Sequence, residues 1–260
     1  MIDEAIVADK TLIGAGVFAS LFILERLRAA APGHGGFSRL ARNGALWLAL
    51  VAISPVIVLP LTLFAADHPL WPRSPGAGGA LLLAMDLALL DLWSYWLHRA
   101  YHEIGVMRRF HRVHHLDEHL DTTSAVRFHP GEVALSALLR MAPIILLAVP
   151  FNHVVIFEAL LLAGSLFHHS NVRLPAAFEM AVSKVFVTPS IHWVHHHADA
   201  KDTNSNYSAV FSVWDRLFGT RSRTIRTPEM KIGLEGVADE SLPGLLLAPF
   251  RNLNRGSRKL

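Results

Sequence analysis

The sequence contains no cysteine. This absence excludes disulfide bonds, thiolate-ligated haem, iron–sulfur clusters and cysteine-bound zinc, so any metal ion held by the chain must use nitrogen or oxygen ligands. Charged residues are also scarce: they make up 17% of the 260 residues, whereas soluble domains average about 25%. Because 52% of the residues are hydrophobic, the composition indicates a membrane protein.

Five apolar runs divide the chain. They cover residues 5–24, 44–66, 77–97, 133–151 and 153–168. A helix of about 20 apolar residues crosses the hydrocarbon core of a bilayer. The last two runs are separated only by a short turn around Pro150, so they predict a helical hairpin that enters or crosses the membrane. The predicted fold is therefore an all-α, polytopic membrane protein.

The positive charge of the chain lies between these runs. The net charge is +3 and the pI is about 9.5, but arginine and lysine are concentrated in the segments 26–43, 98–132 and 169–260. This distribution favours membrane orientation over nucleic-acid binding, because basic loops face the cytoplasm. Five crossings would place the N-terminus outside and every histidine motif on the cytoplasmic side of an inner or plasma membrane.

Histidine is the residue that the chain has in excess. Of 16 histidines, fourteen fall between residues 98 and 197. They form one HxxxH motif and two HxxHH motifs, made of His98 and His102; His111, His114 and His115; and His192, His195 and His196. Residues three and four apart share one face of a helix, so each motif directs its imidazoles to a common point. Neutral imidazole is the commonest side-chain ligand of transition metals.

The number of histidines indicates more than one metal ion. A catalytic zinc ion needs about three protein ligands, whereas these motifs offer eight or more. A zinc hydrolase commonly carries the HExxH motif, which is absent. A zinc-dependent membrane hydrolase or isomerase remains an alternative, because zinc could occupy the same ligands. A divalent-metal transporter is a second alternative, although it should place its ligands near the middle of the membrane.

The order of the motifs resembles the fatty acid hydroxylase/sterol desaturase superfamily. The matching motifs are HRAYH, HRVHH, RFHPGE, HHSNVRLP and HWVHHH, followed by Asn206-Tyr207 and WDRLFGT, and they extend over residues 91–220. The resemblance implies an integral-membrane, non-haem oxygenase with two iron ions. Members use dioxygen and external electrons to hydroxylate or desaturate lipids. Because the chain has no room for a fused haem-cytochrome domain, we expect a separate electron donor, either a ferredoxin or a cytochrome with its reductase.

The resemblance also implies a ligand set. It comprises His98, His102, His111, His114, His115, His192, His195 and His196, with one further ligand from His168 or His169. The pattern favours His169 slightly. Asp91, His129, Asn206 and Asp215 are expected to support the ligands from a second layer, for example by orienting a ligand ring or positioning water. Three other histidines, His119, His153 and His197, are expected to bind no metal.

The same resemblance suggests a division of the chain into three parts. Residues 1–76 would supply N-terminal membrane spans and a linker, and residues 77–220 would form the catalytic domain. Residues 221–260 would be a basic C-terminal tail. Within the catalytic part, Asp91, Tyr95, His98 and His102 follow one another at spacings of four, three and four. On a helix they form one stripe, which leads from the membrane span into the first metal motif.

Overall fold

The computed structural model describes residues 4–33, 35–73 and 78–251, with side chains from residue 10 onward. The basic C-terminus beyond residue 251 lies outside the described residues. Helices and irregular segments make up the described chain, which confirms the all-α prediction. The long helices are α1 (Glu4–Leu27), α2 (Gly36–Ile53), α3 (Leu59–Asp67), α4 (Ala80–Glu103), α5 (Gly105–His115), α6 (Pro130–Leu147) and α7 (Phe151–His169). The short ones are α8 (Ala176–Val182), α9 (Pro189–His195), α10 (Ala200–Thr203), α11 (Val213–Leu217) and α12 (Leu242–Leu247).

Four helical segments of the described chain are long and apolar enough to cross a membrane. They are Gly36–Asp67, α4, α6 and α7, and at most 28% of the residues in their most apolar windows are buried. Outward-facing apolar side chains fit a surrounding of acyl chains. The first apolar run lies in α1, whose side chains are described only from Lys10 onward, so a crossing by α1 stays a prediction. Length and composition therefore support four of the five expected crossings.

A wider turn interrupts the second span where proline enters it. Residues Ser54–Val58 form a π-helical segment between α2 and α3. Pro55 has no backbone N–H to donate and its ring crowds the preceding turn, so the regular helix cannot continue through it. At Pro55 the helix therefore widens into a π-turn, and the three segments run on as one helical unit, Gly36–Asp67.

The predicted hairpin consists of α6 and α7. Its arms are joined by three residues, and Ala148 adopts a left-handed conformation with φ of 51°. Arg140 on α6 pairs with Glu158 on α7, with Nη1 and Oε1 3.3 Å apart. At the tip, His153 Nδ1 lies 2.6 Å from Asp86 on α4, and Arg73 donates to the same carboxylate.

The helices bring all the histidine motifs to one end of the bundle. The C-terminal ends of α4 and α7 and the N-terminal end of α6 meet there. Glu25, near the end of α1, accepts hydrogen bonds from Thr122 and from the backbone of Asn171 at this end. At the opposite end, the backbone N–H of Leu70 donates to Ile145. Successive long helices are therefore joined alternately at the end of the bundle that carries the histidine motifs and at the opposite end.

A buried ionic network supports the loop below the histidines. Arg39 at the start of α2 donates to both carboxylate oxygens of Asp117, at 2.6 and 2.8 Å. It also contacts Asp121 and Ser124. Burial alone would raise the pKa of Asp117, but the Arg39 guanidinium outweighs this effect and holds the pKa at about 2. Removing one partner of such a buried pair typically costs about 3–5 kcal/mol, so the network fixes α2 against this loop.

The segment after residue 220 packs on the histidine-bearing end. Leu234, Leu245 and Ala248 form a buried apolar cluster with Leu46 on α2 and with Val113 on α5, among others. The short apolar stretch around α12 therefore packs against the body of the protein and does not stand as a separate span.

Candidate metal centre

Two groups of histidines lie next to each other at this end. In each group, one ligand nitrogen per residue lies within 4.8 Å of those of all the others. The first group is His98, His102, His111, His115 and His195, and the second is His114, His169, His192 and His196. The structure therefore brings together nine of the ten histidines that the sequence singled out. All nine are buried except His98, which is partly exposed.

The helical spacing divides each HxxHH motif between the two groups. On α5, His111 and His115 are four residues apart and point into the first group, while His114 points into the second. The motif that begins on α9 does the reverse: His192 and His196 belong to the second group and His195 to the first. Each of these two motifs therefore supplies both groups.

Hydrogen bonds fix the orientation of five of the nine rings. Each of these rings has its Nδ1 within hydrogen-bond distance of an oxygen. The pairs are His98 with Tyr207 O at 2.8 Å, His195 with Ser205 O at 2.7 Å, His169 with Ser165 O at 2.8 Å, His114 with Arg127 O at 3.2 Å and His111 with Glu132 Oε1 at 2.6 Å. A carbonyl or a carboxylate can only accept, so Nδ1 carries the proton. The lone pair on Nε2 is then available to a metal ion.

These lone pairs face one another. His98 Nε2 lies 3.1 Å from His111 Nε2, and His169 Nε2 lies 3.1 Å from His114 Nε2. In both pairs the proton is on Nδ1, so neither Nε2 has a hydrogen to donate. Two acceptors at this distance repel each other unless a cation binds both. The donor set therefore fits metal ions, and it consists of imidazole nitrogens, which suit iron, zinc, copper and nickel.

The rings are kept neutral by their surroundings. Burial, reinforced by the neighbouring imidazoles, lowers the pKa of His114, His115, His192 and His196 well below its usual value. The same causes lower the pKa of His195, and its hydrogen bond to Ser205 opposes them. Both nitrogens of His115 are buried without a hydrogen-bond partner among the described residues. A metal ion would satisfy the nitrogen that carries the free lone pair.

His168 is the one proposed ligand that lies outside both groups. It is buried, and its ring packs against His192 with 4.0 Å between ring centroids. Its neighbour His169 belongs to the second group. The geometry thus favours His169 over His168 as the metal ligand, as the sequence pattern did.

Asp91 contacts none of the nine histidines. Its carboxylate accepts hydrogen bonds from the backbone N–H groups of Val210 and Phe211 at 3.0 and 2.9 Å, and from the indole of Trp214 at 2.8 Å. The expectation that Asp91 orients a ligand ring directly is therefore not met. Tyr95, on the same stripe, makes its hydroxyl contact with Thr220. Both residues anchor the segment that follows the last histidine motif.

Asp215 and Asn206 support the backbone that holds His98. Asp215 accepts hydrogen bonds from the backbone of Tyr207 and Ser208, at 2.7 and 3.0 Å, and the carbonyl of Tyr207 accepts from His98. Asn206 has φ of 53°, a conformation that asparagine tolerates better than most residues, and its amide donates to Ile191 O. Asp215 thus acts on His98 through one residue of backbone.

His129 and His197 have hydrogen-bond partners outside the two histidine groups. His129 caps α6 by accepting from the backbone N–H of Gly131, at 2.9 Å, and its Nε2 lies 3.1 Å from Leu246 O. His197 Nδ1 lies 2.8 Å from Asp202. His119, His153 and His197 belong to neither histidine group.

Glu132 is the residue whose role the sequence did not assign. It lies in the RFHPGE motif, one turn into α6, and its Oε1 is 2.6 Å from His111 Nδ1. Its side chain is 5% exposed, so the carboxylate is held at the edge of the first histidine group. In the sequence, Glu132 stands three residues after His129, and this spacing does not show that its carboxylate contacts the ring of His111.

An apolar cavity of about 500 Å³ opens onto the histidines. Its walls come from α2, α4, α6 and α7, and include Leu50, Val51, Leu97, Val133, Ala137 and Leu161. His98, His111, His169 and Phe128 line it at the metal end, where the Phe128 ring stacks on His114 with centroids 4.4 Å apart. Such a volume is typical of small-molecule sites. The cavity connects the membrane-facing helices with both histidine groups.

These features define a membrane-embedded protein with paired histidine sites able to hold metal ions. The chain belongs to the fatty acid hydroxylase family, whose model matches residues 83–220.

Several characterised proteins are similar in sequence. The ornithine lipid hydroxylase OlsE of Rhizobium tropici is 27% identical over 185 residues, which cover 71% of this chain and 53% of that protein. Alkylglycerol monooxygenase of Danio rerio is 30% identical over 131 residues, which cover 50% of this chain and 28% of that protein. Methylsterol monooxygenase 1 of Rattus norvegicus is 27% identical over 153 residues, covering 58% and 50% of the two chains.

The chain thus spans about half or less of the length of these relatives. No solved structure matches it.

Proposed function

We propose that the protein is a membrane-bound, non-haem di-iron oxygenase that hydroxylates or desaturates a lipid. One observation carries the proposal: opposed, neutral imidazole lone pairs in two adjacent groups line the end of an apolar cavity. The chain's membership of the fatty acid hydroxylase family, and its similarity to a hydroxylase and two monooxygenases, support this class of reaction.

Nine histidines would hold the two iron ions. The first would be bound by His98, His102, His111, His115 and His195, and the second by His114, His169, His192 and His196. When bound, the iron pair would activate dioxygen for attack on an unactivated C–H bond. The protein's own residues hold the Nδ1 protons on carbonyl groups and on Glu132, keep the imidazoles neutral and provide a path for an apolar chain.

A lipid is the proposed substrate. The names of the relatives refer to an ornithine lipid, an alkylglycerol and a methylsterol. The apolar lining of the cavity and its exposed wall residue Val51 suit a lipid that enters from the bilayer. Residues 77–220 would form the catalytic part, with the spans of 1–76 before it and the basic segment 221–260 after it. Electrons would come from a separate ferredoxin or cytochrome.

The proposal is tested with purified protein in lipid nanodiscs. We expect about two iron ions per chain and oxygen uptake that depends on a reductant and a lipid extract. Mass spectrometry after incubation with isotopically labelled dioxygen should show labelled oxygen in a lipid product if the reaction is hydroxylation. Conversion that persists without oxygen would contradict the oxygenase and favour the zinc hydrolase or isomerase.

The metal centre is proposed to face the cytoplasm, because the basic segments lie at the same end of the bundle as the histidines. Since the chain has no cysteine, a single introduced cysteine is a unique label. Lys201→Cys at the histidine-bearing end should resist a membrane-impermeant thiol reagent added to intact cells. Asp67→Cys at the opposite end should react, and the reverse pattern would overturn the assignment.

A further inference from the structure

Three charged side chains meet inside the helical bundle, away from the histidines. Lys10 on α1 and Arg140 on α6 both pair with Glu158 on α7. All three line the same cavity as the metal-end histidines. They define a charged cluster, Lys10–Arg140–Glu158, in a wall that is mostly apolar.

The cluster carries more positive than negative charge. Two cations share one carboxylate, which leaves a net charge of +1. The Arg140 Nη1 hydrogen bond to Glu158 is long, at 3.3 Å, and Arg140 Nε is buried with no hydrogen-bond partner among the described residues. An uncompensated charge is costly at membrane depth, and such residues usually have a functional partner. Among the described side chains, one more anionic group would balance the charge of the cluster.

The cluster lies at a defined distance from the histidines along the helix axes. Arg140 follows Glu132, the partner of His111, by eight residues on α6, which corresponds to about 12 Å at about 1.5 Å per residue. Glu158 precedes His169 by eleven residues on α7, or about 16 Å. The cavity thus has a charged end and a metal end.

We propose that Arg140, assisted by Lys10, binds the carboxylate of a lipid and so fixes the end of the molecule that is not oxidised. The acyl chain then extends through the apolar part of the cavity toward the histidines. This inference rests on the proposed function for the reaction, but the binding itself needs no turnover. The carboxylate of the bound lipid thus lies farther from the histidine-bearing end of the bundle than the carbon that reacts.

The shape and charge of the cluster fit a carboxylate. Guanidinium groups bind planar carboxylates through two parallel hydrogen bonds, and a singly charged anion neutralises the cluster. Between the two ends the lining is mostly apolar, which suits an alkyl chain. Because each carbon advances an extended chain by somewhat less than the C–C bond length of about 1.5 Å, at least roughly nine carbons are needed to reach the histidines.

The test compares two ligands of equal length, a long-chain carboxylate and the corresponding primary alcohol. Their dissociation constants are measured on full-length protein loaded with zinc, which binds without supporting oxidation. We expect the wild type to prefer the carboxylate by about tenfold or more, the contribution of a charge-assisted hydrogen bond. Arg140→Gln should reduce the preference to about one, and Arg140→Lys should restore part of it.

Glu158→Gln separates recognition from a purely structural role. It removes the group that competes with the ligand carboxylate, so the preference should rise. A structural ion pair would instead make both variants unstable, with no selective effect on carboxylate over alcohol. The matched control is Lys201→Gln, an exposed position at the histidine-bearing end, which should leave the preference unchanged.

The inference is overturned if the wild type shows no carboxylate preference, or if Arg140→Gln retains it. Should Arg140→Gln fail to fold, Lys10→Gln takes its place, and an undiminished preference in that variant has the same meaning. Carboxylate preference without any oxygen-dependent lipid product would refute the proposed function alone. Oxidation of lipid by a protein that shows no preference for the carboxylate would refute the role of the charged cluster alone.

Discussion

His111 Nδ1 lies 2.6 Å from Glu132 Oε1, and the two residues come from different helices, α5 and α6. A carboxylate that accepts the Nδ1 proton fixes the tautomer of the ring and makes Nε2 a stronger ligand. The other four fixed rings donate to backbone carbonyls, so Glu132 is the one charged group among these five Nδ1 partners. The first histidine group thus receives a negative charge close to a ligand.

Glu132→Gln should weaken metal binding and leave the fold intact. The amide oxygen can still accept from His111, but the negative charge is lost, and such supporting groups typically contribute about 10- to 100-fold to metal affinity or activity. Iron content and oxygen uptake measure the effect. Glu103→Gln, an exposed glutamate paired with Arg99, is the control, and an equal loss in both variants would refute the role of Glu132.

His114→Ala should abolish activity, whereas His119→Ala should not. His114 belongs to the second histidine group, so its loss should reduce lipid oxidation by more than about 100-fold, beyond the effect of losing a supporting group. His119 belongs to neither group, and its variant should keep its iron. Metal analysis and product formation check both variants, and equal losses would contradict the ligand assignment.

His169→Ala and His168→Ala should differ in metal content. Removing His169 takes one of four ligands from the second group and should release that metal ion. His168 packs on His192 without joining either group, so its variant should retain both ions. Inductively coupled plasma mass spectrometry on the purified variants decides between them; loss of metal from the His168 variant alone would reverse the assignment.

Val51→Trp should hinder entry of the substrate. Val51 lines the cavity and is 51% exposed, so a larger side chain there narrows the opening without filling a packed core. KM for the lipid should rise about tenfold, equivalent to about 1.4 kcal/mol, with little change in kcat. Val56→Trp is the matched control, because Val56 is exposed on the same helical unit and does not line the cavity. Equal kinetics in the two variants would place the entrance elsewhere.

The sequence predicted the helical hairpin and the clustering of the histidines well, because both follow from local periodicity. Helical spacing showed that His111 and His115 share a face, but it could not show that His114 would join histidines from α7 and α9. That division depends on how helices pack, which is a long-range property. The composition of the first apolar run favoured a fifth span, although Lys10, Glu25 and Arg26 shorten its apolar part.

Long-range contacts also determine the partners of Asp91. Asp91 lies on the same helical stripe as His98 and His102, so a role in ligand orientation was a reasonable expectation. Its partners are backbone groups more than one hundred residues later in the chain, at Val210 and Phe211. Local spacing contains no information about such a partner. The pairing of Arg140 with Glu158 likewise depends on how the two arms of the hairpin pack, which the sequence did not show.

The division of each HxxHH motif between both histidine groups has a mechanical consequence. Because His111, His114 and His115 occupy barely more than one turn of α5, the separation of the two metal positions is set by the pitch of a helix and not by loops. A single residue inserted into α5 ahead of His111 would rotate all three rings by about 100° and so disturb both positions at once. The two metal positions are therefore coupled through α5, because a change that shifts or rotates this helix displaces ligands of both groups.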